Sequence, residues 1–299
     1  MSKVIIVGDT FVTVDTMKRA VESMLLPKPL EVVALEWCPE DSPEMFQRNL
    51  KLIEQHGPEA VPPPEGIMEE LVDADYLFVH LAPISRRLLE NAKQLKLVGT
   101  CRGGVEHIDM EAVHEKRIPV IHVIRNAEPV ADYTLGLIYT VTRNIALSHK
   151  AVMKGEWSKK FPNDGYRTTL SNQTVGLVGL GHIGKMVAQR LVGLGVDVIA
   201  YDPFVEQEKV LDSGLSLTFV SLEELFTKAD IVSLHMRVTP ETENLVDESL
   251  LALMKPSAYL VNTARPGILV KEAFIKVLKE RKIAGAAIDV VWEEPMALD

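Results

Sequence analysis

The chain has 299 residues, 47% of them hydrophobic and 25% charged, and carries a formal net charge of -10. That length exceeds one ordinary core and suits two domains, and the composition excludes a disordered or fibrous chain. No apolar run approaches the roughly 20 residues of a bilayer span, two cysteines make no disulfide framework, and the negative balance works against nucleic acid and acidic membrane surfaces as partners.

The opening Met-Ser-Lys-Val4-Ile5-Ile6-Val7-Gly8 has too short an apolar stretch for a secretory signal and reads as a first β-strand. With only Cys38 and Cys101, the expected setting is a reducing cytoplasm. Further strands are expected at Val32–Leu35, Tyr76–Leu81, Leu97–Thr100 and Val120–Val123. Helical spacing runs from Glu44 to His56 and stops at Gly57, a C-cap candidate; Val61-Pro-Pro-Pro64 then leads to a helix over Ile67–Val72. One long apolar-rich helix is predicted from about Val130 to Ser148, long enough to link two domains, with a polar loop after it.

The second part alternates more clearly. Strands are predicted at Val175–Gly179, Val196–Tyr201, Ile231–Leu234, Tyr259–Asn262 and Ala284–Ile288, with helices over Glu248–Met254 and Lys271–Glu280. Ser221-Leu-Glu-Glu224 is a capping box. Strand–helix alternation of this kind builds parallel sheets covered on both faces, so the fold class is α/β with two doubly wound parallel-sheet domains, the second a Rossmann domain.

Gly179-Leu-Gly181-His182-Ile183-Gly184 follows a strand and opens a helix. Gly179 permits a tight turn, Gly181 lets backbone approach a pyrophosphate, and Gly184 lets helix and strand pack closely. The free N–H groups and positive dipole end of that helix suit phosphate. Asp202 ends the next strand, where a carboxylate accepts from ribose hydroxyls and repels a 2′-phosphate, so NAD is expected over NADP. The pair Gly193 and Gly195 reads as a helix C-cap instead.

Val261-Asn-Thr263-Ala264-Arg265-Pro-Gly267 and Gly285-Ala-Ala-Ile-Asp289-Val-Val-Trp-Glu-Glu294-Pro295 follow in order. So arranged, with Gly99-Thr-Cys-Arg102-Gly103-Gly104-Val-Glu-His-Ile-Asp109 before them and Ser233-Leu-His235-Met-Arg237-Val-Thr239 between, they resemble the D-isomer-specific 2-hydroxyacid dehydrogenase family, which includes D-3-phosphoglycerate dehydrogenases. The resemblance spans nearly the whole chain. It implies hydride transfer between NAD and a D-2-hydroxy acid/2-keto acid pair, and a homodimer through the cofactor domain. It implies that Arg265 holds the substrate's carboxylate and carbonyl, and that Glu294 pairs with a catalytic histidine. It also implies that Asp289 contacts the nicotinamide amide beside Thr263 and Ala264, that His182 and Ile183 meet the pyrophosphate, and that His235 and Arg237 lie by the cofactor. Gly103 and Gly104 offer amides to the substrate; Arg102, where many relatives have glycine, either binds a second anionic group or pairs with Glu106 or Asp109.

On this basis residues 1–123 are expected to form a flavodoxin-like substrate domain, 124–294 the cofactor domain and 295–299 the start of a return to the first. The family's histidine lies in a Pro-His segment beyond the glutamate, and Asp299 comes five residues after Glu294, so the expectation is a longer protein. His80 and His107 are read as structural residues, and no metal site is read. A non-catalytic NAD(H) sensor or scaffold of the same fold is the competing function; a small-molecule 2-hydroxy or 2-keto acid is the expected partner of the dehydrogenase.

Overall fold

The computed structural model describes residues 2–24, 29–124 and 126–293, and the chain divides into two compact units, Met1–Arg125 and Asn126–Asp299.

The first unit begins with β1 (Ser2–Gly8), whose Val4, Ile5, Ile6 and Val7 are wholly buried. A continuous apolar run of this kind marks a strand covered on both faces, as parallel sheets require. The elements after it are α1 (Val14–Glu22), β2 (Leu30–Glu36), α2 (Pro43–His56), α3 (Ile67–Glu70), β3 (Tyr76–Val79), α4 (Arg86–Asn91), β4 (Leu97–Thr100), α5 (Met110–Glu115) and β5 (Val120–His122). Ser42 caps α2 by accepting from the Met45 N–H at 3.2 Å, Pro43 opens the helix, and Gly57 closes it at φ 79°. Among the described residues the sheet is five-stranded and parallel, in the order β2-β1-β3-β4-β5. Chain direction across the sheet reverses between β1 and β3, so the carboxyl ends of those two strands flank the switch point.

The second unit contains α6 (Ala127–Thr142), α7 (Ile145–Met153), β6 (Thr174–Val178), α8 (His182–Gly193), β7 (Asp197–Tyr201), α9 (Gln207–Asp212), β8 (Thr218–Phe219), α10 (Leu222–Lys228), β9 (Ile231–Leu234), α11 (Glu248–Leu251), β10 (Tyr259–Asn262), α12 (Lys271–Lys279) and β11 (Gly285–Ile288). Its parallel sheet runs β8-β7-β6-β9-β10-β11, its strands largely apolar, with Ser233 of β9 a buried polar exception. This is the doubly wound order of a dinucleotide-binding domain, with its switch point between β6 and β9. The capping box is present: Ser221 Oγ accepts from the Glu224 N–H at 3.1 Å. Gly195, at φ 73°, ends α8 while the Val196 N–H returns to the Leu191 carbonyl at 3.0 Å.

The single helix expected over Val130–Ser148 is two helices. Asn144 stands at φ 58°, a left-handed conformation that asparagine tolerates. Its buried Nδ2 donates to Asn163 Oδ1 at 2.7 Å, and Asn163 Nδ2 donates to the Thr142 carbonyl at 3.1 Å and Tyr259 Oη at 2.7 Å. The polar loop thus supplies the groups that let the chain turn, while the apolar pattern runs on through the break. Among the described residues no helix is long and apolar enough to cross a membrane.

Candidate active site

At the carboxyl end of β6 the backbone turns at Gly179, φ 102°, its N–H donating to the Tyr201 carbonyl at 2.8 Å. A Cβ on Gly179 would meet the His235 carbonyl carbon at 2.9 Å, and one on Gly184 would collide with the Gly179 oxygen. Gly181 differs: a Cβ there meets no atom within 4 Å. Gly181 is also the N-cap of α8 and makes no side-chain cap bond, so the first-turn amides at His182, Ile183 and Gly184 point outward as unsatisfied donors. Asp202 closes the other side. Its Oδ2 accepts from the Leu180 N–H and its Oδ1 from the Phe204 N–H, both at 2.8 Å, which fixes the carboxylate beside the turn and leaves lone pairs for ribose hydroxyls. A cradle a Cβ would fill, free amides and a fixed acid fit a dinucleotide.

His235 follows β9, its N–H donating to the Val178 carbonyl at 2.8 Å and its Nε2 lying 2.9 Å from Ser233 Oγ. Burial pulls its pKa down to about 4, so the ring is neutral at physiological pH. The Arg237 side chain is exposed, and its carbonyl accepts from Thr242 Oγ1 at 2.6 Å, which shapes the loop after β9.

The turn after β10 is built by Asn262, a residue the sequence reading did not single out. Its buried Oδ1 accepts from the Ala264 N–H at 3.0 Å, its Nδ2 donates to the Arg265 carbonyl at 3.1 Å, and its own carbonyl takes the Asp289 N–H at 2.9 Å. An asparagine directly after an apolar strand was the available signal, because this side chain turns back on its own backbone. Thr263 is buried, with Oγ1 2.9 Å from Thr134 Oγ1 of α6. Arg265 is exposed, donates to the Ala264 carbonyl at 2.9 Å, and has no carboxylate within ion-pair distance among the described residues. Asp289 is exposed one residue beyond β11, next to this turn through the pairing of Asn262 with Ile288. The structure therefore brings Thr263, Ala264, Arg265 and Asp289 to one end of two neighbouring strands. Glu294 lies outside the described residues, while its neighbour Glu293 pairs with Lys271 at 2.6 Å.

In the first unit, Arg102, Gly103 and Gly104 sit on the loop after β4. Arg102 reaches Glu106 at 3.7 Å and Glu54, in α2, at 3.9 Å, both long contacts. Asp109 is not its partner: Oδ1 of Asp109 caps α5 through the Ala112 N–H at 2.8 Å, and Oδ2 lies 3.5 Å from Arg86. Glu54 was invisible to the sequence reading because it comes from a distant helix. The Glu106 carboxylate also lies against Gly104.

The second unit is thus a doubly wound dinucleotide-binding domain in fold and in site. Residues 135–299 match the family described as D-isomer specific 2-hydroxyacid dehydrogenase, NAD binding domain, and the chain belongs to that family. It is 36% identical over 233 residues to a D-3-phosphoglycerate dehydrogenase of Methanocaldococcus jannaschii, covering 77% of this chain and 44% of that protein. It is also 36% identical over 266 residues to a glyoxylate reductase of Thermofilum pendens, covering 86% of this chain and 77% of that protein. Among solved structures, D-lactate dehydrogenase from Aquifex aeolicus, complexed with NAD and lactic acid, superposes with a TM-score of 0.70 at 25% identity, over 99% of this chain and 82% of that one. The chain spans less than half the length of the phosphoglycerate dehydrogenase it matches.

Proposed function

We propose that the protein carrying this chain is an NAD-dependent D-2-hydroxyacid dehydrogenase that reduces a small 2-keto acid. The observation that carries the reading is Arg265: an exposed guanidinium with no carboxylate partner among the described residues, held at the carboxyl end of β10 by the Asn262 turn and flanked by Asp289. A guanidinium fork binds a carboxylate bidentately and stabilises the negative charge that develops on the neighbouring carbonyl oxygen. NAD, when bound, supplies the carbon that accepts or gives the hydride. His182 and Ile183 offer their amides to its pyrophosphate, Asp202 accepts from its ribose hydroxyls, and Asp289, Thr263 and Ala264 take its amide end, with His235 and Arg237 beside it. Asp202 also opposes a 2′-phosphate by charge. Gly103 and Gly104 amides and the Arg102 guanidinium serve the acid substrate, and Glu294 raises the pKa of the proton-donating histidine.

The same reading divides the protein into a substrate domain, residues 1–123, a cofactor domain, 124–294, and a return segment from 295, acting in the cytoplasm. It also makes the protein a homodimer. Its support is α7, in which no residue is buried, with Ile145, Leu147, Val152 and Met153 exposed and Trp157 beyond them 80% exposed. Exposed apolar side chains on one helix and the loop after it favour an interface there.

The test is turnover by the full-length protein of NADH with a panel of 2-keto acids, beside the NADH dissociation constant and the mass by light scattering. No oxidation above background, with tight NADH binding, sinks the enzyme and favours the sensor. A Pro-His pair encoded beyond Asp299 points the other way. A monomeric mass refutes the dimer.

A further inference from the structure

The loop Cys101–Glu106 leaves β4 at Thr100 and returns to the fold at His107, whose carbonyl accepts from the Ile84 N–H at 2.7 Å. Its ends are closed by a side-chain bond: Thr100 Oγ1 lies 3.0 Å from His107 Nε2, with Thr100 4% exposed and His107 fully buried. Thr100 has one hydroxyl proton, and it goes to the His80 carbonyl at 3.2 Å. The imidazole is therefore the donor to Thr100 and exists as the Nε2–H tautomer. Burial, then the nearby Arg102 charge, pulls the His107 pKa down to about 3, so the ring is neutral at physiological pH. Its Nδ1 has no partner among the described residues, so the ring keeps one buried lone pair unsatisfied while making the bond to Thr100.

The bond is one link in a chain. His80 Nδ1 lies 2.9 Å from Asp9 Oδ2, and Asp9 also accepts from the N–H groups of Phe11, Val12 and Leu81 at 2.9, 3.0 and 3.1 Å. The chain thus joins the carboxyl ends of β1, β3 and β4 at the switch point, where doubly wound sheets place their ligands. An apolar side chain at 107 would fill the same volume without an orphaned nitrogen, so packing alone does not account for the imidazole.

We propose that His107 is the positioning residue of the Arg102–Gly104 loop: its buried N–H fixes Thr100 and so sets where the Gly103 and Gly104 amides and the Arg102 guanidinium meet an anionic substrate. This rests on the dehydrogenase reading, in which that loop serves the acid. Groups that hold a ligand are only as well placed as the side chains behind them.

The experiment uses the full-length protein, saturating NADH and glyoxylate or hydroxypyruvate as probe. Glutamine can place an N–H near the Nε2 position, whereas asparagine is too short. His107→Asn and Thr100→Val are expected to raise KM about tenfold with kcat nearly unchanged and NADH affinity intact, while His107→Gln and Thr100→Ser stay close to wild type. Amide hydrogen exchange over residues 101–106, measured without substrate, is expected to accelerate in the first pair only. Thermal melting and NADH binding check each fold; if one of the first pair unfolds, Thr100→Ala against Thr100→Ser reads the same contact. Unchanged exchange, a kcat loss at constant KM, or a folded His107→Gln as impaired as His107→Asn overturns the proposal. If the wild-type protein turns over no 2-keto acid, the dehydrogenase reading falls, and the exchange data still judge the positioning role.

Discussion

Gly181→Ala separates cofactor binding from folding. At Gly181 the backbone sits at φ -65° and ψ -162°, extended geometry that alanine adopts without strain, and the added Cβ meets nothing within 4 Å. The unliganded fold therefore has no reason to weaken, and the lost unfolded-state freedom of glycine contributes about 0.5 kcal/mol in its favour. The methyl does, however, enter the space over the α8 amides that a pyrophosphate must occupy. Holding a phosphate oxygen off two of those N–H groups forfeits two charge-assisted hydrogen bonds, about 1.5 kcal/mol each. That predicts an NADH dissociation constant raised about a hundredfold. Fluorescence titration with NADH gives the affinity and differential scanning fluorimetry of the unliganded protein gives the fold. Gly184→Ala is the contrast, because its Cβ collides with the Gly179 oxygen and must displace backbone. It should lose about 1–3 kcal/mol of stability before any cofactor is added. Unchanged NADH affinity in Gly181→Ala, or a melting loss equal to that of Gly184→Ala, would refute the placement of the pyrophosphate at this turn.

Asp202→Asn keeps an acceptor for the Leu180 or Phe204 N–H but removes the charge, so the ratio of NADPH to NADH affinity should rise about tenfold; an unchanged ratio shows that charge is not what selects the cofactor. Arg265→Ala should lower kcat/KM about a thousandfold, the cost of a bidentate, charge-stabilising contact, with NADH affinity intact, and Arg265→Lys should restore little of it; retained turnover removes Arg265 from the chemistry. His107 and His235 titrate at about 3 and about 4 in the fold against an ordinary 6.5. The unfolded chain therefore binds their protons first. Their contribution to stability is complete above pH 6.5 and is lost as pH falls toward those values, with a slope of up to about 1.4 kcal/mol per pH unit for each. Urea midpoints from pH 7 to 4.5 should fall less steeply in His107→Gln than in wild type, and parallel curves contradict the buried neutral ring.

What could be read from the residues in advance was set by the range of the forces involved. The strands showed because a sheet buried on both faces needs unbroken apolar runs, and the Gly179–Gly184 turn showed because its requirements fall within six consecutive positions. The break at Asn144 did not show. The partner that makes it possible, Asn163, is 19 positions away on a loop whose sequence carries no periodicity. Short helices such as α4 and α5, of six residues each, lacked the two turns of amphipathic spacing that would have marked them. At the site the same division holds. Arg265 and Asp289 could be named from motifs; the Asn262 side chain, with two bonds to its own turn, left only the local signal of an asparagine at a strand end, and the link from its backbone carbonyl to Asp289 depends on strand pairing that the sequence does not display.

The network behind the Arg102 loop is the extreme case, and it corrects the weight given to local context in judging a histidine. Asp9, His80 and the Thr100–His107 pair come from three separate segments, and nothing near any one of them in sequence announces the others. Read singly, each histidine is an ordinary interior residue. Together they form a hydrogen-bonded line across three strand ends, in which replacing Thr100 with an apolar residue leaves the buried His107 Nε2 without that partner, an outcome that costs more than the bond itself contributes. That asymmetry makes the Thr100–His107 end of the line suited to holding a loop in one place: a distortion that breaks this bond strands a polar nitrogen in the core. A histidine's role in this fold is therefore decided by what its second nitrogen and its partner's remaining proton can reach, which only the three-dimensional arrangement supplies.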